Sequence, residues 1–289
     1  MMRVRINGLG LNCRWWGDRA APETLLFIHG NLACADWFEL AAQHLPPWLR
    51  VLGIDWRGCG DSDKPAPDAD FGNYTVERHA DDMLAVLHAL EISRCHLATH
   101  STGGIISLHM LLREPERFGK VVGLAPVGPQ GLRFADESYA FFHIMKASRE
   151  KAKKGLALTA PTLFRPESLE AGAVAIYAAN ASEEQRQLFE RLTDKAFAVS
   201  DGIWFGTPRS LNRAWQTGSL RPHMASIAHP HLLLWGALDP FIPRADLEEM
   251  AATMPRCRLE VSADVGHAMV VEKPERYARA LTAFLAERD

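Results

Sequence analysis

The sequence predicts an α/β protein, a mostly parallel β-sheet covered by helices on both faces and interrupted late by a block of helices. Three observations carry this. Short buried-looking apolar runs alternate with stretches whose apolar residues recur at helical spacing. Between Pro126 and His229 the alternation stops for about a hundred residues, where a parallel crossover needs only a dozen or so. The 289 residues, 47% hydrophobic and 23% charged, are enough for one large core without staples.

Residues 3–7 and 11–16 read as a hairpin turning at Gly8-Leu9-Gly10, an antiparallel edge. Thr24–His29 is the first buried strand, followed by a helical pattern from Asp36 to Leu45 that Pro46-Pro47 ends. Arg50–Asp55 is the next strand. After a loop rich in Pro, Asp and Gly, Thr75 can cap a helix running to about Leu90, with Met83, Val86, Leu87 and Leu90 on one face. Arg94–Thr99 is a strand, Thr102 to Arg113 a helix stopped before Pro115, and Val121–Ala125 a strand. Helices are expected over about 134–153, 167–179 and 183–198, the last with Ser182 and Gln185 as a capping box. The core resumes with a strand at His231–Trp235, a helix over 244–253, a strand at Arg258–Val261 and a closing amphipathic helix over 274–287. The domain reading is therefore a core of 1–128 and 216–289 and a helical insertion, or lid, of 129–215.

Lys plus Arg number 32 against 35 Asp plus Glu, a formal charge of −3, so the chain has no overall field to hold nucleic acid or an anionic membrane. No apolar run approaches the ~18 residues of a membrane span, and the first residues have no apolar stretch of signal-peptide length. Five scattered cysteines, never spaced C-x-x-C, point to reduced thiols in a cytoplasmic protein, with neither a disulfide framework nor a metal site. There is no phosphate-binding loop, no dinucleotide glycine triplet and no H-E-x-x-H. The partner expected is a small-molecule substrate; the oligomeric state, monomer or homodimer, is not legible.

In an open parallel sheet the loops leaving the strands' C-terminal ends build the site. Those loops read His29-Gly30-Asn31, Asp55-x-Arg57-Gly58-x-Gly60-x-Ser62, Thr99-His100-Ser101-Thr102-Gly103-Gly104, Gly236-x-x-Asp239 and Gly266-His267. Ser101 falls between a strand and a helix, where a tight turn pushes its hydroxyl out of the sheet and the glycines let strand and helix approach. A serine needs a base to take its proton, and the base needs an acid to fix its tautomer. His267 and Asp239, each just past a late strand, supply them.

These motifs resemble the α/β-hydrolase superfamily, in its capped branch of esterases, C–C hydrolases, dehalogenases and epoxide hydrolases. The resemblance covers about 20–128 and 216–289. It implies an eight-stranded, mostly parallel sheet, a helical cap after the sixth strand, and no cofactor. Catalytic Ser101, Asp239 and His267 follow in the family's order, and the oxyanion hole is expected from the backbone amides of Asn31 and Thr102. The Asn31 side chain either adds a donor or only tolerates the turn. Serine at the nucleophile position, where dehalogenases and epoxide hydrolases carry a carboxylate, favours acyl chemistry on a small-to-medium, largely apolar ester, lactone or thioester. The alternatives are a C–C hydrolase of vinylogous diketones, a cofactor-free dioxygenase and, outside enzymes, a ligand receptor. Two positions depart from the pattern: Thr99 replaces a usual glycine, and Cys59 a usual histidine. His29, Asp55 and His100 are expected to be structural. In the insertion, Phe141, Phe142, Trp204 and Phe205 are candidate pocket residues. The basic stretch Lys146–Lys154 reads as a solvated face or, alternatively, an anion-recognising one.

Overall fold

The computed structural model describes residues 2–288. Eight strands among them form one sheet in the order β1-β2-β4-β3-β5-β6-β7-β8. β1 (Met2–Ile6) and β2 (Leu9–Trp16) make the antiparallel hairpin, with Ile6 opposite Leu9. Its turn sits at Asn7 and Gly8, both at positive φ, the geometry that two-residue hairpin loops require. β2 joins β4 (Leu49–Ile54) antiparallel. β3 (Glu23–Ile28), β5 (Cys95–His100), β6 (Phe118–Leu124), β7 (His231–Gly236) and β8 (Cys257–Ser262) continue the sheet in parallel. Leu25, Leu26, Phe27 and Ile28 are fully buried in succession, as expected of a strand covered on both faces.

From β3 the chain steps one way to β4, then returns past β3 to β5. The loops after β3 and β5 therefore part at a switch point, where a crevice opens. Right-handed crossovers put α1 (Glu39–Ala42) on one face and α2 (Val76–Ala89) and α3 (Gly103–Arg113) on the other. Between β6 and β7 lie α4 (Asp136–Lys146), α5 (Arg149–Ala157), α6 (Glu183–Phe197) and α7 (Thr207–Thr217). The chain finishes with α8 (Arg244–Thr253), the single turn α9 (Met269–Glu272) and α10 (Pro274–Ala286), which packs on α1. No helix among the described residues is long and apolar enough to cross a membrane.

The inserted segment departs from expectation in three places. The helix expected over 134–153 is two helices, broken at Ser148, whose extended backbone lets its hydroxyl cap α5 through the Lys151 amide. The helix expected over 167–179 is absent. A short 3₁₀ turn (Pro166–Leu169) leads instead to Gly172 at φ +79°, and the chain doubles back so that Phe164 bridges Tyr177. The β-branched Val174 and Ile176 suit that extended return, and Tyr177 gains a stack on Phe164. Past residue 198, a π-helical turn (Gly202–Gly206) leads into α7, which the periodicity did not announce. Gly202 and Gly206 let that turn press against Tyr74 and Phe71. The capping box of α6 is present, with Ser182 and Gln185 each accepting from the other's amide.

Candidate active site

Ser101 sits at φ +53°, a left-handed conformation that a non-glycine residue holds only when its surroundings enforce it. They do so on both sides. Its amide donates to Leu124 O at 3.1 Å, and its carbonyl accepts from the amides of Gly104 at 2.9 Å and Val127 at 2.8 Å. The turn also needs bare backbone. A Cβ at Gly103 would strike the Ile28 carbonyl, one at Gly104 would meet Pro126 at 2.5 Å, and one at Gly30 would lie 2.9 Å from the Ser101 Cβ. Thr99 is buried in β5, where it pairs with Ile28 of β3 and Gly123 of β6.

His267 Nδ1 lies 2.8 Å from Asp239 Oδ2, and the Asp239 side chain is wholly buried. The second Asp239 oxygen accepts from the amides of Phe241 at 2.7 Å and Ile242 at 3.3 Å. With both oxygens engaged, the carboxylate fixes the proton on Nδ1 and leaves Nε2 as the acceptor. His267 and Ser101 line one cavity; among the described residues no hydrogen bond yet joins the hydroxyl to the ring. Such contacts are commonly longer before substrate binds.

The cavity has a volume of about 420 Å³. Asn31 and Thr102 line it beside Ser101, and neither backbone amide donates to a protein acceptor among the described residues. Its apolar walls include Phe141, Phe142, Met145, Leu156, Leu211 and Phe241. Trp204 and Phe205 do not line it. Trp204 is fully buried, edge-on to Phe142, and Phe205 packs on His143 and under the Lys146 ammonium. A π-turn rotates its side chains off the 3.6-residue period, so neighbouring aromatics in sequence did not reveal which way they face. The basic stretch does not reach the cavity either: Lys146 pairs with Asp201, Arg149 with Glu190 and Asp194, and Lys153 with Glu190.

The groups expected to be structural hold the loops. Trp56 N donates to His29 Nε2, and His29 Nδ1 donates to Gly30 O at 2.8 Å, which fixes the turn carrying Asn31. Full burial pushes His29 down to about 4. Asp55 accepts from Ala35 N at 2.7 Å and from Asn12 Nδ2 and Asp61 N, both at 2.9 Å. His100 Nε2 donates to the His267 carbonyl at 3.1 Å, and burial keeps that ring far below the usual histidine range. Burial likewise drives the Cys59 thiol well above its ordinary value. No group of three or more His, Cys, Asp or Glu able to hold a metal occurs among the described residues.

Two residues near the site escaped sequence reasoning. Glu137 lines the cavity from α4, and Glu272 touches the His267 loop from α9. A lone acid in a helix carries no signal of its own; the apolar run Ala268–Val271 before Glu272 was the one hint that it is drawn inside.

Comparison with known proteins agrees with this architecture. A family model described as the alpha/beta hydrolase fold matches residues 23–274. The chain is 29% identical over 283 residues to a 2-hydroxymuconate semialdehyde hydrolase of Pseudomonas sp. strain CF600, covering 94% of this chain and 90% of that protein. Among solved structures it is similar to an esterase from Exiguobacterium antarcticum, with TM-score 0.76 and 22% identity over 98% of this chain and 97% of the other. It is also similar to the enol-lactonase from Burkholderia xenovorans LB400, with TM-score 0.75 and 21% identity over 99% and 100% of the two chains.

Proposed function

The chain belongs to the α/β-hydrolase superfamily and is a hydrolase; on that premise we propose that it is a cofactor-free serine hydrolase of uncharged, largely apolar esters, lactones or thioesters. The observation that carries this reading is the opening of Ser101, at its enforced positive φ, and of the Asp239-paired His267 into one cavity. In this mechanism His267 Nε2 takes the Ser101 proton as Oγ attacks the acyl carbon. The Asn31 and Thr102 amides hold the oxyanion. The imidazolium, steadied by Asp239, protonates the leaving group, and a water activated by the same ring then releases the acid. The inserted helices act as a cap that closes the acyl pocket.

C–C cleavage is the competing chemistry, because a relative of this chain is by name a hydrolase of 2-hydroxymuconate semialdehyde, an organic acid. The cavity lining speaks for the neutral ester. Among the described residues no lysine or arginine lines it, and Glu137 adds a carboxylate. An anion entering apolar walls without a cationic partner loses several kcal/mol of hydration.

Treatment with a fluorophosphonate, followed by intact-mass measurement and peptide mapping, tests the reading. One adduct on Ser101 is expected. Ser101→Ala should lose the label and about 10⁴-fold or more in kcat/KM on a p-nitrophenyl ester. Wild-type protein that takes no label, or a variant as active as wild type, would overturn it.

A further inference from the structure

Glu272 is a carboxyl group 3% exposed, one turn past His267. Its Oε2 accepts from the Gly266 amide at 2.7 Å, one residue before His267. Its Oε1 accepts from Thr162, from the amide at 3.0 Å and from the hydroxyl at 2.8 Å. Thr162 belongs to the inserted segment, so one carboxyl joins the cap to the histidine loop. A second tie runs alongside, from the Ala268 amide to the Thr159 carbonyl at 2.8 Å. The two ties flank His267 in sequence, and Thr159 itself lines the cavity. Gly266 has no room for a side chain, because a Cβ there would collide with Pro161. From α6, the Gln185 side-chain amide donates to the carbonyls of Val271 at 2.9 Å and Glu272 at 3.1 Å, seating the same turn from outside.

Backbone amides can only donate, and one sits on each oxygen of Glu272, so the donor set favours the carboxylate. Burial pushes the group above the ordinary carboxylate range, and the Thr162 and Gly266 donors oppose that rise. The other ionisable groups around it are His267 on the cavity side and, on the outer side, Lys273, Glu275, Arg276 and Arg279 of α10 and its approach, His44 past α1 and Glu184 of α6.

We propose that Glu272 is a positioning residue, a latch that registers the Thr162 turn of the cap against the Val265–Gly266 peptide, one residue before His267, and so aims the imidazole at Ser101. This deepens the serine-hydrolase reading and rests on it for the role of His267. Docking the cap and orienting the base become one event. The carboxylate also places a second negative charge, after that of Asp239, near the ring that becomes an imidazolium.

Glu272→Gln and Thr162→Val test the latch. The glutamine side chain can accept at only one of its two termini, so one tie is lost without a cavity. With a p-nitrophenyl ester, Glu272→Gln should lower kcat by about 10–100-fold, with KM within about threefold of wild type. The acid limb of its kcat/KM profile should move to lower pH, because removing a negative charge makes the imidazolium harder to form. Thr162→Val, which removes only the hydroxyl, should show a smaller kcat loss and no shift of that limb. Hydrogen exchange read on peptides covering 159–163 and 264–269 should rise in both segments together in Glu272→Gln. The exchange result does not depend on turnover, so it decides the latch even if fluorophosphonate fails to label Ser101 and the serine reading falls. Exchange that rises in one segment alone or in neither would overturn the latch. So would a Glu272→Gln enzyme that melts earlier yet keeps wild-type kcat and an unmoved acid limb.

Discussion

The two walls of the cavity are built differently. On the histidine side the loop 265–268 is buried, held by His100, Glu272 and Thr159, and backed by α6. Lys195 of α6 ties that helix to the strand-end loops, pairing with the mostly buried Asp36 at 2.9 Å and the exposed Asp61 at 2.8 Å, with Arg14 also on Asp36. On the opposite side α4 buries only Met145, while Phe141 is 37% and Ile144 53% exposed. The fixed wall carries the groups whose geometry decides chemistry; the loosely held wall carries apolar side chains that only need to fill space around an acyl group. Sub-ångström order is useful at the first and wasteful at the second.

The largest expected difference is the response to acid, which sets the buried loops under the site, the His29 turn among them, apart from α4. His29 must stay neutral to accept from Trp56 N, and burial brings it to about 4. A base whose folded value lies below its unfolded one, ~6.5, contributes stability above the unfolded value and loses it as pH falls towards about 4. From this residue alone the loss is on the order of 2 kcal/mol by about pH 4.5. His100 shifts in the same direction, and its ring supports the His267 carbonyl. Urea unfolding at about pH 7 and about pH 4.5 measures the sum, and His29→Gln should flatten the difference by its own share. An unchanged difference in that variant would remove His29 from the account. α4 has no buried titratable side chain to respond in this way.

The same contrast explains what the sequence discloses. Every strand of the parallel sheet was legible, because buried strands read as apolar runs bounded by turn residues. Parallel topology brings their C-terminal ends to one edge, so Ser101, Asp239 and His267 could be assembled on paper although 166 residues separate the first from the last. The capping box of α6 was legible because its chemistry is local. The extended return at 172–177, the π-turn at 202–206 and the burial of Trp204 were not. Each depends on which neighbour a side chain meets, Phe189 and Phe164 for Tyr177, Tyr74 for Gly202, and periodicity does not encode the neighbour. Glu272 was hidden for the same reason, since its meaning lies in Thr162, 110 residues away.

If α4 shapes specificity and little else, changing its ring should be felt in binding. Phe141 lines the cavity yet is half outside the core. Phe141→Ala should raise KM for a medium-chain p-nitrophenyl ester by about 10-fold, leave kcat within about twofold, and shift preference to longer acyl chains. Its unfolding free energy should change by less than about 1 kcal/mol, since little buried area is lost. A fall in kcat at constant KM would mean that α4 takes part in aligning the reacting atoms, and the two walls would no longer be distinct.

The smallest expected effect concerns charge. Glu137 lies on α4, lines the cavity, and has no ion-pair partner among the described residues. Because it is exposed, water screens it, and its influence on a bound substrate amounts to a fraction of what a buried charge would exert. It should still act on every anionic substrate, because no lysine or arginine among the described residues lines the cavity to offset it. A matched pair, a butyrate ester and the corresponding hemisuccinate, differs chiefly in one distal carboxylate. Wild-type enzyme should favour the butyrate in kcat/KM. Glu137→Gln should narrow the preference by about two- to fivefold and Glu137→Arg by more, both through KM and both less at high salt. Wild-type enzyme that prefers the hemisuccinate would mean that a cation reaches the cavity after all. The loosely held wall would then be the one that moves to bring it there.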